Sequence, residues 1–107
     1  MIEDSISIMK AGTVTGDVYE ASVRAIKDGP YYKYHYNGVG HGIGMFVHEV
    51  PFIRPDATAV YKPNVVTTIE PGLYIPGWGG CRIEDQIIIN EDGNENLISV
   101  SHELIEL

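Results

Sequence analysis

A break at Asp28-Gly29-Pro30 divides the chain into two unlike parts, and their order constrains the fold more than any other feature. Before the break, apolar residues recur at helical spacing. Ile2, Ile6 and Met9 stand at i, i+4 and i+7, with Gly12 as a stop. A second helix is expected from Thr15, an N-cap candidate, with Asp17 favourable in its first turn. Val18, Ala21 and Ala25, flanked by Tyr19, Val23 and Ile26, give it a broad apolar face. Proline cannot continue a helix and glycine tolerates left-handed dihedrals, so Asp28-Gly29-Pro30 ends it. Beyond the break, short β-branched runs at 65–69 and 83–89 read as strands, and Asp92-Gly93 reads as a hairpin turn before a strand over 96–100. Helices followed by strands predict an α+β domain rather than a parallel βαβ array. The 107 residues suit one modest domain or a piece of a larger one.

Charge narrows the partners. Seven Lys and Arg face fifteen Asp and Glu, a formal net charge of −8. Binding to nucleic acid or an anionic membrane draws on clustered cations, so both are poor expectations. No apolar run approaches the roughly 20 residues of a membrane helix. The start, MIEDSISIMK, has acids where a signal peptide carries basic residues. A single cysteine, Cys81, excludes an intrachain disulfide and a cysteine-only metal site. The expected location is cytoplasmic.

Past Pro30, tyrosines crowd at 31, 32, 34 and 36, and then Gly38, Gly40, Gly42 and Gly44 alternate around His41. Glycine at every second position weakens a strand, so it suggests close backbone approach to something. His48 follows in VHEVP. Glu70 ends an apolar strand just before Pro71, and Glu84 lies inside another, with Arg82 two residues back on the same face. Each has a plain structural reading. Arg82 neutralises Glu84, Glu70 is a strand end in water, His41 bonds to loop backbone, and His48 sits on the surface beside Glu49. Taken together, one imidazole and two carboxylates form a mixed N/O set suited to Mn, Co, Fe or Zn. Three protein ligands leave a position open for water, as a catalytic ion needs. His48 is then placed to donate a hydrogen bond to a substrate carbonyl or carboxylate.

Three ordered segments, GHGIGMFVHEVP, VVTTIEPGLYIPGWGG and CRIEDQIIINEDGNENLI, strongly resemble the second half of the pita-bread (creatinase/aminopeptidase-like) metallopeptidases. KAGTVTGDVYEASVRAIKDG is similar to the helix that precedes them in that family. Arg82-Ile83-Glu84-Asp85 after a double glycine matches the Xaa-Pro branch, prolidase and aminopeptidase P, better than methionine aminopeptidase. The resemblance implies that residues 1–107 form a single partial domain, the C-terminal part of a pita-bread catalytic domain. It implies His41, Glu70 and Glu84 as metal ligands, with Glu84 bridging two ions. It also implies that His48 contacts substrate and that Arg82 orients nearby carboxylates. The implied reaction is metal-dependent hydrolysis of a peptide with proline in the second position, with manganese among the candidate ions.

Two departures from the family pattern qualify this. The family's other ligands are aspartates on strands preceding everything here, and Asp4 and Asp17 fall on predicted helices instead. The expectation is therefore at most one ion per isolated chain, with hydrolysis weak or absent alone. Asn37 stands where several Xaa-Pro enzymes carry a histidine, and His35 is wrongly spaced to replace it. Half a domain leaves an exposed edge and apolar face, which implies a homodimer or a separate N-terminal half as partner. Two other readings compete: a non-catalytic pita-bread module that binds peptides or protein tails, and a plain acidic α+β domain. Retention of His41, Glu70 and Glu84 favours the peptidase.

Overall fold

The computed structural model describes residues 1–107. Two helices lead, α1 (Ile2–Ile6) and α2 (Thr15–Arg24). α1 is shorter than its periodicity predicts because the chain tightens after it. The N–H groups of Ile8 and Met9 bond three residues back, to the carbonyls of Ser5 and Ile6, so Met9 enters the core from a turn. Gly12 then adopts a left-handed φ of 88° and donates its N–H to the Tyr61 carbonyl at 2.9 Å.

Thr15 is not the cap that the sequence suggests. Val14 occupies that position, and the Thr15 hydroxyl is buried without a partner. Long-range backbone bonds take over the capping, from Thr15 N–H to the Ala59 carbonyl at 2.8 Å and from Gly16 N–H to Ala57 at 3.1 Å. Asp17 in the first turn and Arg24 in the last complement the helix dipole.

After a single 3-10 turn (Tyr32–Tyr34) come seven strands: β1 (Gly40–Gly42), β2 (Glu49–Ile53), β3 (Val66–Ile69), β4 (Gly72–Ile75), β5 (Gly79–Arg82), β6 (Asp85–Ile89) and β7 (Asn94–Asn96). Five form an antiparallel sheet in the order β2-β1-β3-β6-β7, while β4 and β5 form a separate ribbon. The α+β expectation stands, with boundaries moved. The strand expected at 83–89 starts only at Asp85, and the one expected at 96–100 is β7 followed by an irregular tail. β2 carries Pro51 in its middle, which the sheet tolerates because β2 is an edge strand. Asp92-Gly93 does turn the chain between β6 and β7, with Asn90 N–H bonded to the Gly93 carbonyl at 2.9 Å.

The core lies between helices and sheet. Val18, Tyr19 and Val23 of α2 cluster with Ile53, Ile69, Ile87 and Ile89 of the strands. Each fully buried isoleucine contributes about 1.5–3 kcal/mol. Strand alternation puts Ile69 and Ile87 on the helix-facing side, so Thr68 and its register partner Gln86 face the other way. That second face carries the polar chemistry.

Candidate metal centre

β1 lies between β2 and β3. A Cβ on Gly40 would run into the Thr68 carbonyl and stand 2.6 Å from Ile53 Cδ1; one on Gly42 would strike the Val50 carbonyl. Bare backbone at 40 and 42 therefore allows this close packing on the core side. His41, between them, projects to the opposite face and is only 8% exposed.

Its surroundings are tightly specified. His41 N–H donates to Thr68 Oγ1 at 3.0 Å, and the Thr68 hydroxyl donates to Glu70 Oε1 at 2.9 Å. Glu70 is likewise 8% exposed. Its Oε1 lies 3.0 Å from His41 Nε2, and its Oε2 accepts from Arg82 Nη1 at 2.7 Å. The plain reading of Glu70 as a strand end in water is thus corrected. So is the pairing of Arg82 with Glu84. The β4–β5 ribbon sets Arg82 opposite Gly72, two residues beyond Glu70, and the guanidinium reaches back across the base of the ribbon. Arg82 also lies over the rings of Tyr36 and Tyr74, 5.7 and 5.6 Å from their centroids.

His41 Nδ1 is 3.0 Å from the Gly42 carbonyl oxygen, which can only accept, so Nδ1 carries a proton. Nε2 then faces a carboxylate oxygen, an arrangement that calls for a second proton or a cation between the two atoms. Both are ligand types for a divalent ion, and an ion held at about 2.0–2.2 Å by each would span them. The donor chemistry of this pair fits a divalent metal.

Glu84 stands apart. It is exposed in the two-residue joint between β5 and β6, not inside a strand as expected. No three His, Cys, Asp or Glu side chains converge closely enough to hold an ion by themselves. The β3–β6 register nevertheless runs from Val66 opposite Ile88 to Ile69 opposite Asp85. Continued by one step, it sets Glu84 opposite Glu70, on the His41 face. His48 is exposed, and its ring centroid lies 4.3 Å from that of His41 at 50°. The loop carrying it is held by Glu49 Oε1, which accepts Phe46 N–H at 2.8 Å.

Sequence reasoning missed Thr68 and the two tyrosines around Arg82. Thr68 had a signal, since it precedes Glu70 by two residues and shares its face. His35 is occupied elsewhere. Its Nδ1 donates to the Tyr32 carbonyl and its Nε2 accepts from the Tyr19 hydroxyl at 2.7 Å, while Asn37 Oδ1 lies 3.4 Å from the same hydroxyl. Burial, with Tyr32 and Glu20 acting in the same direction, pushes the Tyr19 phenol up to about 12. A surface cavity of about 1390 Å³ along β2 and residues 54–60 includes neither His41 nor Glu70. The donor set locates the site, and cavity size does not.

Known proteins share this fold. The model of metallopeptidase family M24 matches residues 1–91. The chain is 47% identical over 77 residues to the uncharacterized peptidase YqhT of Bacillus subtilis, covering 72% of this chain and 22% of that protein. It is 37% identical over 101 residues to the Xaa-Pro dipeptidase of Pyrococcus furiosus, covering 94% and 29%. The solved structure of an Xaa-Pro dipeptidase from Bacillus anthracis superposes with a TM-score of 0.91 at 37% identity, over 98% of this chain and 30% of that one. A prolidase from Thermococcus sibiricus gives 0.92 at 33% identity, over 99% and 29%. The helices and antiparallel strands are thus those of part of a pita-bread fold. The chain spans 22% of YqhT and 29% of the P. furiosus dipeptidase.

Proposed function

The chain belongs to metallopeptidase family M24, and from that premise we propose that it supplies one divalent-metal site for hydrolysis of peptides with proline in the second position. Residues 1–107 are read as a single partial domain, the C-terminal part of a prolidase or aminopeptidase P type catalytic domain. The observation that carries the reading is the buried pair of His41 Nε2 and Glu70 Oε1, 3.0 Å apart.

His41, Glu70 and Glu84 would hold the ion, whether Mn, Co, Fe or Zn. A divalent ion here supplies Lewis acidity toward a peptide carbonyl. The protein's own part is orientation. Arg82 holds Glu70 Oε2, which leaves Oε1 turned toward His41. Thr68 joins the two, accepting from the His41 amide and donating to Glu70, so both donors are fixed through one hydroxyl. His48, exposed beside His41, offers a hydrogen bond to the carbonyl or carboxylate of a peptide entering over β1. One set of three donor residues corresponds to at most one ion per chain, with hydrolysis weak until a second copy or an N-terminal half adds carboxylates. No helix is long and apolar enough to cross a membrane; a cytoplasmic setting is part of the proposal.

The test is thermal. Mn, Co or Zn at about 100 times its Kd should stabilise the chain by about 2.7 kcal/mol, and a chelator should reverse the effect. Xaa-Pro hydrolysis should appear when an N-terminal half of a family member is added. Peptide affinity that survives chelation, without any metal-dependent rise in Tm, would favour the non-catalytic peptide-binding module instead.

A further inference from the structure

Asp85 is a carboxylate that the proposed site does not use, and it is completely buried. It opens β6, directly after Glu84 and across the sheet from Ile69, the residue before Glu70. It therefore lies at the point where both candidate carboxylates leave the ladder. A buried carboxylate must be compensated, and two side chains do this. Asn96 Nδ2 donates to Oδ2 at 2.7 Å, and His102 Nε2 donates to Oδ1 at 3.0 Å.

His102 belongs to the irregular tail, and little else fastens that tail. Leu97 N–H bonds to the Gln86 carbonyl and Ile98 N–H to Asn96 Oδ1, both at 2.9 Å. Beyond these, Val100, Leu104, Ile105 and Leu107 are exposed, so apolar burial does not hold it down. The tail nonetheless closes one side of a cavity of about 620 Å³ whose other side includes Arg82, Glu84 and Asp85. Glu84 is thus carried between two tethered neighbours. Arg82 is fixed to Glu70 from one side, and Asp85 is fixed to His102 and Asn96 from the other.

We propose that His102 and Asn96 form a clasp on Asp85 that sets the position of Glu84, making the tail histidine a positioning residue for the divalent ion. This rests on the assignment of His41, Glu70 and Glu84 as ligands. Nothing in the clasp touches the ion or the substrate; it acts through the backbone of residues 84–86, where the joint enters β6. Glutamine at 102 can present an amide N–H to Asp85, whereas alanine cannot.

The experiment is calorimetric titration of Mn into the metal-free 107-residue chain, for the wild type, His102→Ala and His102→Gln, with amide hydrogen exchange at residues 84–86 followed in the same metal-free samples. His102→Ala should weaken Mn binding by about tenfold, in the range seen for outer partners of metal ligands. It should also speed exchange at the joint, and His102→Gln should recover most of both. Equal Mn affinity in all three proteins, with exchange accelerated in His102→Ala, overturns the clasp as a positioning device and leaves the metal site standing. Absence of Mn binding by the folded wild type overturns the ligand assignment and the clasp's role with it. If His102→Ala does not fold, an affinity for His102→Gln tenfold or more below wild type, with exchange at the joint unchanged, also overturns the proposal; a near wild-type affinity supports it.

Discussion

A carboxylate as enclosed as Glu70 persists because the Arg82 guanidinium, the Thr68 hydroxyl and the His41 ring all face it. Thr68→Val keeps the volume but leaves the His41 amide without its acceptor and removes one of the donors to Glu70. We expect it to cost about 1–3 kcal/mol, read as a shift of the urea midpoint at constant m-value. Tyr61 makes a different prediction. Its hydroxyl is buried and without a hydrogen-bond partner, and burial pushes its phenol up to about 12 against a smaller opposite pull from the Thr67 side chain. Tyr19 is raised to a similar level. In the unfolded chain both phenols titrate near 10. Between these values the unfolded chain releases protons that the folded one keeps. Stability is therefore full below about pH 10 and falls as pH climbs toward about 12, by on the order of 2–3 kcal/mol for Tyr61. Tyr61→Phe should remove its share of that loss and leave neutral-pH stability equal or slightly higher, which urea midpoints at pH 8 and pH 11 will show. At this scale His41 and Glu70 stood out in the sequence only as members of a set, since each residue taken singly also has a plain structural reading. The partner of Arg82 was not legible, because it depends on how β4 and β5 pair.

The alternation of glycines around His41 makes sense only as an element. At 40 a side chain would collide with the Thr68 carbonyl and with Ile53, while at 93 the backbone faces open space. Gly40→Ala should destabilise by about 1–3 kcal/mol through overpacking. Gly93→Ala should be neutral or stabilising by up to about 1 kcal/mol. Both can be read from one set of urea curves. The helices were visible in the sequence because core contact imposes a 3.6-residue period on them. β2 was hidden by Pro51, which reads as a strand breaker until the strand is known to lie at an edge. The β4–β5 ribbon was hidden because β5 is exposed throughout and rich in glycine, so no burial pattern marks it. The run at 83–89 looked continuous because Ile83 is apolar, yet the ladder begins at Asp85. That shift moves Glu84 from a strand to a joint, and with it the demand for something to hold the joint in place.

Across the whole molecule, one face of the sheet is satisfied by helices and the β2 edge is left open. Met45, Phe46, Val47 and Val50 are exposed on and beside the β1–β2 hairpin, and Trp78 is exposed at the tip of the ribbon. Such apolar surface favours association. We expect sedimentation equilibrium to show concentration-dependent dimerisation, or capture of an added N-terminal half; a monomer at every concentration would count against this. What the sequence disclosed at this scale was the class and family, carried by ordered motifs. Assembly was not legible, because it depends on which surfaces remain uncovered. The proposed hydrolysis depends on a divalent ion between His41 and Glu70. The most direct measurement is calorimetric titration of Mn and Zn into metal-free protein, beside Glu70→Gln. One ion per chain is expected, with affinity at least about tenfold lower in Glu70→Gln. Binding that Glu70→Gln leaves unchanged, or no binding by the folded wild type, would contradict it.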